Sequence, residues 1–192
     1  MTIFLILAPF GAFTMLMLLA SAIVSAFVAS LVCLVTITID VVRGRSVKIL
    51  AAGSAVLFAA IGTYLATIDP ALAASKVKLA ADAGVFIIMA GSALVRFPFT
   101  LQYALEEVPA EIAAMPGFLR ANYTITAVWI AAALLMMLSN LALVYVPGMP
   151  IWTTLLIAFA ARNSALYFTR WYPQYREQKS ATPAADALPT AR

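Results

Sequence analysis

Residues 3–39 read IFLILAPFGAFTMLMLLASAIVSAFVASLVCLVTITI, an apolar run with no charged side chain before Asp40. A bilayer's hydrocarbon core is about 30 Å thick and a helix rises about 1.5 Å per residue, so about 20 such residues make one crossing. As a single helix this run would be roughly 54 Å long, well beyond that thickness. It must therefore break, and Pro9 with Gly11 offer the place. The expectation is a short apolar piece near Ile3–Phe13, then a long first span over about residues 16–39. A tight hairpin of two spans is the alternative, although no polar turn residues mark its bend.

Downstream, four stretches are long and apolar enough to cross, at about residues 48–66, 79–95, 123–146 and 151–168. The fold class is all-α: a polytopic transmembrane bundle of five spans, or six if the opening run is a hairpin. One membrane domain covers residues 1–179, and the Ala-, Thr- and Pro-rich residues 180–192 read as a disordered tail. Composition agrees. The chain has 192 residues, 65% hydrophobic and 10% charged, with mean hydropathy +1.01. A soluble domain carries roughly 45–50% apolar and about 25% charged residues, and a chain this small could not hide the excess from water.

Loop charges orient the bundle, because cytoplasmic loops are rich in Lys and Arg. With five spans and the N-terminus outside, Arg43, Arg45, Lys48, Arg96, Arg120, Arg170, Arg176 and Lys179 fall in the cytoplasm. Only Lys76 and Lys78 fall outside. The C-terminus is then cytoplasmic. Tyr145, Trp152, Tyr167, Trp171 and Tyr172 sit near span ends, where an aromatic belt belongs. Small residues predict close helix contacts among the first three spans: Ala22, Ala26 and Ser30, then Ala51, Ala55 and Ala59, then Ala80 and Gly84.

Two absences prune the chemistry. The chain has no histidine and a single cysteine, Cys33. That removes His-ligated haem, zinc and copper, His-based acid–base catalysis, an internal disulfide and a cysteine-held cluster. No cofactor, no metal and no enzymatic activity are expected. The net charge of +4 is spread over membrane-flanking positions, so nucleic acid is not an expected partner.

Ionisable groups at lipid depth are costly, and each is a functional candidate. The intramembrane polar set is Asp40, Asp82, Asn140, Arg162 and Asn163. Arg162 lies about twelve residues into the last span, with Asp40 as its nearest expected carboxylate, and Asp82 sits near Lys78. Against that stand snorkelling of the Arg162 stem to the headgroups and an interfacial Asp82. The loop 97–122 is the second candidate. Thr100 can cap a short amphipathic helix and Pro109 can open another. Phe99, Tyr103 and Ile112 would then lie in the interface, while Glu106, Glu107 and Glu111 face water. These carboxylates have no nucleophile, metal ligand or phosphate loop beside them. With Phe99 and Tyr103 they form a candidate surface for docking a basic partner protein.

The order of these features resembles the intracellular septation protein A family of bacterial inner-membrane proteins. The likeness covers residues 3 to about 173. It rests on the Phe4, Leu5, Pro9 and Phe13 opening, Ser75-Lys76-Val77-Lys78 at the third span, and Arg96 with Pro98 at its close. Further on, it rests on Pro116, Phe118, Asn122 and Trp129, on Pro150-Ile151-Trp152, and on Tyr167-Phe168-Thr169-Arg170-Trp171-Tyr172-Pro173. The family's charges inside the first span have no counterpart over Thr14–Ile39, and the 97–122 loop is longer.

The resemblance implies a multi-pass protein of the bacterial inner membrane. Such a protein would support envelope integrity or cell division through contacts with other membrane or division proteins, and it could self-associate. Two other functions fit the residues: a small transporter or lipid-handling protein with a polar route near Arg162, and an accessory subunit of a larger membrane complex. The first of these requires a cavity beside Arg162.

Overall fold

A computed structural model describes residues 2–185, with side chains over residues 9–177. Among them lie helices α1 (Thr2–Leu19), α2 (Ala22–Val42), α3 (Ile49–Thr67), α4 (Ala74–Leu94), α5 (Phe99–Ala104), α6 (Ala110–Ala113), α7 (Pro116–Tyr145) and α8 (Ile151–Ala185). No described residue is in a strand. Four helices, α2, α3, α4 and α7, are long and apolar enough to cross a membrane. The fifth expected span, α8, is long enough, but Arg162 and Asn163 interrupt its apolar run. At 35 residues it would reach about 52 Å and project beyond the bilayer. It continues through Ala185, so the expected disordered tail begins as helix; residues 186–192 lie outside the described part.

The opening run breaks elsewhere than expected. Pro9 stays inside α1, and the chain turns at Ala20-Ser21. Ser21 is the N-cap of α2, its hydroxyl accepting from the Val24 N–H at 3.3 Å. A serine side chain satisfies one of the free N–H groups of a starting helix, so this lone polar residue marks the bend. The expected span over residues 16–39 is therefore two helices. Beyond the turn α1 packs back along α2, and its Pro9 lines a small cavity with Asp40, Lys48 and Glu106. The Pro9 half of α1 thus shares an end of the bundle with the C-terminal half of α8.

Two packed cores follow. One joins Phe13 of α1 and Ala26, Ala29 and Cys33 of α2 to Ala55 and Phe58 of α3 and to Val77 and Ala81 of α4. The other joins Leu50 of α3 and Val85 and Met89 of α4 to Phe99, Trp129, Ala133 and Ala165 of the later helices. Phe10 packs against both. Small residues bring α2 and α3 close enough for the Ser30 hydroxyl to donate to the Ala55 carbonyl at 2.9 Å. On α4 the packing face holds Ala81 and Gly84, while Ala80 is exposed. A Cβ on Gly84 would stand 2.3 Å from Leu57 Cδ1. Outward faces carry Leu31, Val56, Ile87 and Phe159, all exposed. A bundle that is apolar outside as well as inside needs lipid as its solvent.

At the basic end, α2 and α4 finish alike. Arg45 N–H bonds to Asp40 O and Gly44 N–H to Val41 O; Phe97 N–H bonds to Ser92 O and Arg96 N–H to Ala93 O. These are Schellman closures, which need a left-handed residue just past the helix. Gly44 supplies it at φ 71°, and Arg96 adopts it at φ 61°.

Candidate functional site

The polar residues of the bundle fall into two groups, one at the basic end and one inside a large cavity. At the basic end α5 turns under the bundle. Phe99, expected at the interface, is 3% exposed and belongs to the core. Thr100 does not cap α5; Pro98 holds that position. The Thr100 hydroxyl instead lies 2.6 Å from that of Thr126 and donates to Asn122 O. Gln102 Oε1 accepts the Ile49 N–H at 2.7 Å, which supplies the cap that α3's own Lys48 does not. Glu106 is exposed, as expected, and its carboxylate accepts from the Ser46 N–H and hydroxyl and from the Lys48 ammonium. It also lies 4.0 Å from Arg45.

Burial alone would raise the Glu106 pKa. The Lys48 and Ser46 hydrogen bonds and the Lys48 charge outweigh it and hold the carboxyl below its ordinary value. Tyr103, half-buried with the Lys48 ammonium 5.7 Å from its ring centre, is pushed the other way. Burial, then the Asp40 and Glu106 carboxylates, raise its phenol pKa. Asp40 is not Arg162's partner: Arg45 is, at 3.8 Å, because the Schellman turn folds Arg45 back over it. Of the docking surface, Glu106, Glu107 and Glu111 are exposed as expected.

The second group lines a cavity of about 560 Å³ between α4, α7 and α8, closed on one side by α1 and below by α5. Periodicity puts its residues on shared faces: Lys78, Asp82, Val85 and Met89 on α4, and Ile125, Trp129, Ala133, Met136 and Asn140 on α7. From α8 come Phe159, Arg162, Leu166 and Thr169. Asn140 Nδ2 donates to Asp82 Oδ2 and at 3.3 Å to Met136 O, which ties α7 to α4. Trp129 Nε1 donates to Thr169 Oγ1 at 3.0 Å, tying α7 to α8.

That last bond sets the relative depth of the polar groups. In antiparallel helices, Arg162, seven residues before Thr169, lies level with Met136, seven after Trp129. Met136 is one turn, about 6 Å, from Asn140. Along the helix axes, Asp82, Asn140 and Arg162 therefore sit within about a turn of one another. Asn163, the remaining candidate, is exposed and donates to Phe159 O of its own helix at 2.7 Å.

Two groups in this cavity lack protein partners. No described residue makes a hydrogen bond or ion pair with the Arg162 guanidinium. Asn140 is 1% exposed, and its Oδ1 has no donor. Among the described residues no three His, Cys, Asp or Glu side chains gather as a metal site. The cavity thus offers two cations, Lys78 and Arg162, three carboxylates, Asp82, Glu107 and Glu177, and the Asn140 amide oxygen within a largely apolar wall.

Comparison with known proteins adds no relative: no protein-family model, curated protein or solved structure matches the chain. Sequence reasoning found Asp82, Asn140 and Arg162 through the cost of polar groups in lipid, but not that they share one cavity. It missed Gln102 and the Lys48–Glu106 contact. The four-residue spacing of Gln102 and Glu106, one helical face, was the available signal.

Proposed function

We propose that this chain is a multi-pass membrane protein that holds an anionic amphiphile in the cleft between α4, α7 and α8. The observation that supports it is Arg162, a guanidinium with no partner among the described residues, which lines this cavity. A central arginine costs a spanning helix about 2.5–3.5 kcal/mol on insertion scales, so an unpaired one stands in need of a counter-ion. The anionic part of a ligand supplies it, while Met136, Phe159 and Leu166 contact an acyl chain. On this reading α1 and α8 complete six crossings, and the basic end faces the cytoplasm, as the concentration of Arg and Lys there favours.

The test is photocrosslinking in vesicles of purified protein with a phospholipid carrying a diazirine in its acyl chain. Crosslinks to the cavity face of α7 and α8, around Met136 and Phe159, are expected. Crosslinks confined to outward residues such as Leu31 and Val56 would refute the cleft.

The role in the bacterial inner envelope that the sequence resemblance implies fits a lipid-handling protein, which acts on that envelope directly. A separate docking role is favoured only by the exposed Glu106, Glu107 and Glu111 at the basic end. Crosslinking from Glu107 in native membranes tests it: a captured division or envelope protein supports docking, and capture of lipid alone removes it.

A further inference from the structure

The cavity has a second recognition element, one turn from Arg162, and it constrains the headgroup. Asn140 has two amide hydrogens and both are used, one toward the Asp82 carboxylate and one toward Met136 O. The orientation of the amide follows from this: turned over, its oxygen would meet a carboxylate, which donates nothing when ionised. Its Oδ1 is left as a buried acceptor without a donor, a state native proteins rarely tolerate outside functional sites. The remaining lone pairs of Asp82 face the same cavity, with Lys78 one turn away on α4.

We infer that Asn140 Oδ1 and Asp82 form a donor-accepting subsite, so that the ligand is a phospholipid whose headgroup carries N–H or O–H donors beyond its phosphate. This rests on the proposed amphiphile reading. The phosphate meets Arg162, whose planar fork matches it, and the headgroup's ammonium or hydroxyl reaches Asn140 and Asp82 about 6 Å further along the cleft. Phosphatidylethanolamine and phosphatidylglycerol both offer that chemistry. Phosphatidylcholine offers the phosphate but only a quaternary ammonium with no hydrogen to donate. The apolar wall contributed by Val85, Met89, Ile125 and Leu166 accounts for a tailed ligand rather than a free phosphodiester.

The experiment is native mass spectrometry of the full chain from detergent, titrated with each of the three lipids and with soluble glycerophosphoethanolamine. Phosphatidylethanolamine or phosphatidylglycerol should bind roughly tenfold more tightly than phosphatidylcholine, the worth of one or two well-made hydrogen bonds. Asn140→Leu should erase that preference, bringing the three lipids to within about twofold of one another. If Asn140→Leu does not fold, the lipid series on the unaltered chain decides alone. Equal binding of all three lipids overturns the subsite yet leaves the Arg162 cleft standing. No retained lipid of any kind overturns the cleft itself. Soluble headgroup binding as well as the lipids do would overturn the assignment to a tailed ligand.

Discussion

Lys48 and Glu106, 58 positions apart, meet beneath the bundle: the ammonium of Lys48, at 2% side-chain exposure, pairs with a carboxylate that is itself 23% exposed. The contact fastens the turn before α3 to the segment after α5, beside the small cavity that both residues line. Removing Glu106 would leave a buried cation with only Ser46 as partner. Glu106→Gln is expected to cost about 1–2 kcal/mol after allowance for solvent at the carboxylate. A double-mutant cycle with Lys48→Met, read by thermal unfolding in detergent, measures the coupling.

The same pair sets a pH dependence. Glu106 has its pKa lowered in the folded chain. Its stabilising contribution is therefore fully present above the unfolded carboxylate value, about 4.3, and is lost as pH falls through the lower folded value. Proteolysis of the 105–109 segment should accelerate below about pH 4 in the unaltered chain. In Glu106→Gln that acid step should vanish; an unchanged step would assign it to another group.

Gly84 of α4 packs against Leu57 of α3. A Cβ there would stand 2.3 Å from Leu57 Cδ1, so Gly84→Val forces either the leucine or the helix to move. The expected cost is about 1–3 kcal/mol. Leu57→Ala in the same chain should recover part of it, and unfolding midpoints of the two single variants and the double test this.

Arg96 closes α4 in a left-handed conformation at φ 61°, where a side chain costs about 1 kcal/mol and glycine costs little. Arg96→Gly should raise stability by up to about 1 kcal/mol, and Gly44→Ala, at the matching turn, should lower it by a similar amount. Unfolding midpoints that move the opposite way would show that the Arg96 side chain contributes more than its backbone costs.

Much of the helical layout was legible because spanning helices advertise themselves through unbroken apolarity, and the costly polar residues Asp82, Asn140 and Arg162 stood out against it. What escaped were features decided by contact rather than composition. Ser21 reads as one more small residue in an apolar run until its hydroxyl is seen capping α2. Asp40 was matched to Arg162 by depth, whereas a backbone turn delivers Arg45 to it. Phe99 read as an interfacial residue, but α5 tucks beneath the bundle and buries it, and no local pattern encodes that turn.

The central claim is that Arg162 awaits an anionic ligand, and replacing it tests that most directly. In native mass spectra of protein purified from its membrane, the unaltered chain should retain phospholipid and Arg162→Gln should lose it, and with it the stabilisation that a bound ligand confers. Equal lipid retention by both chains would contradict the account.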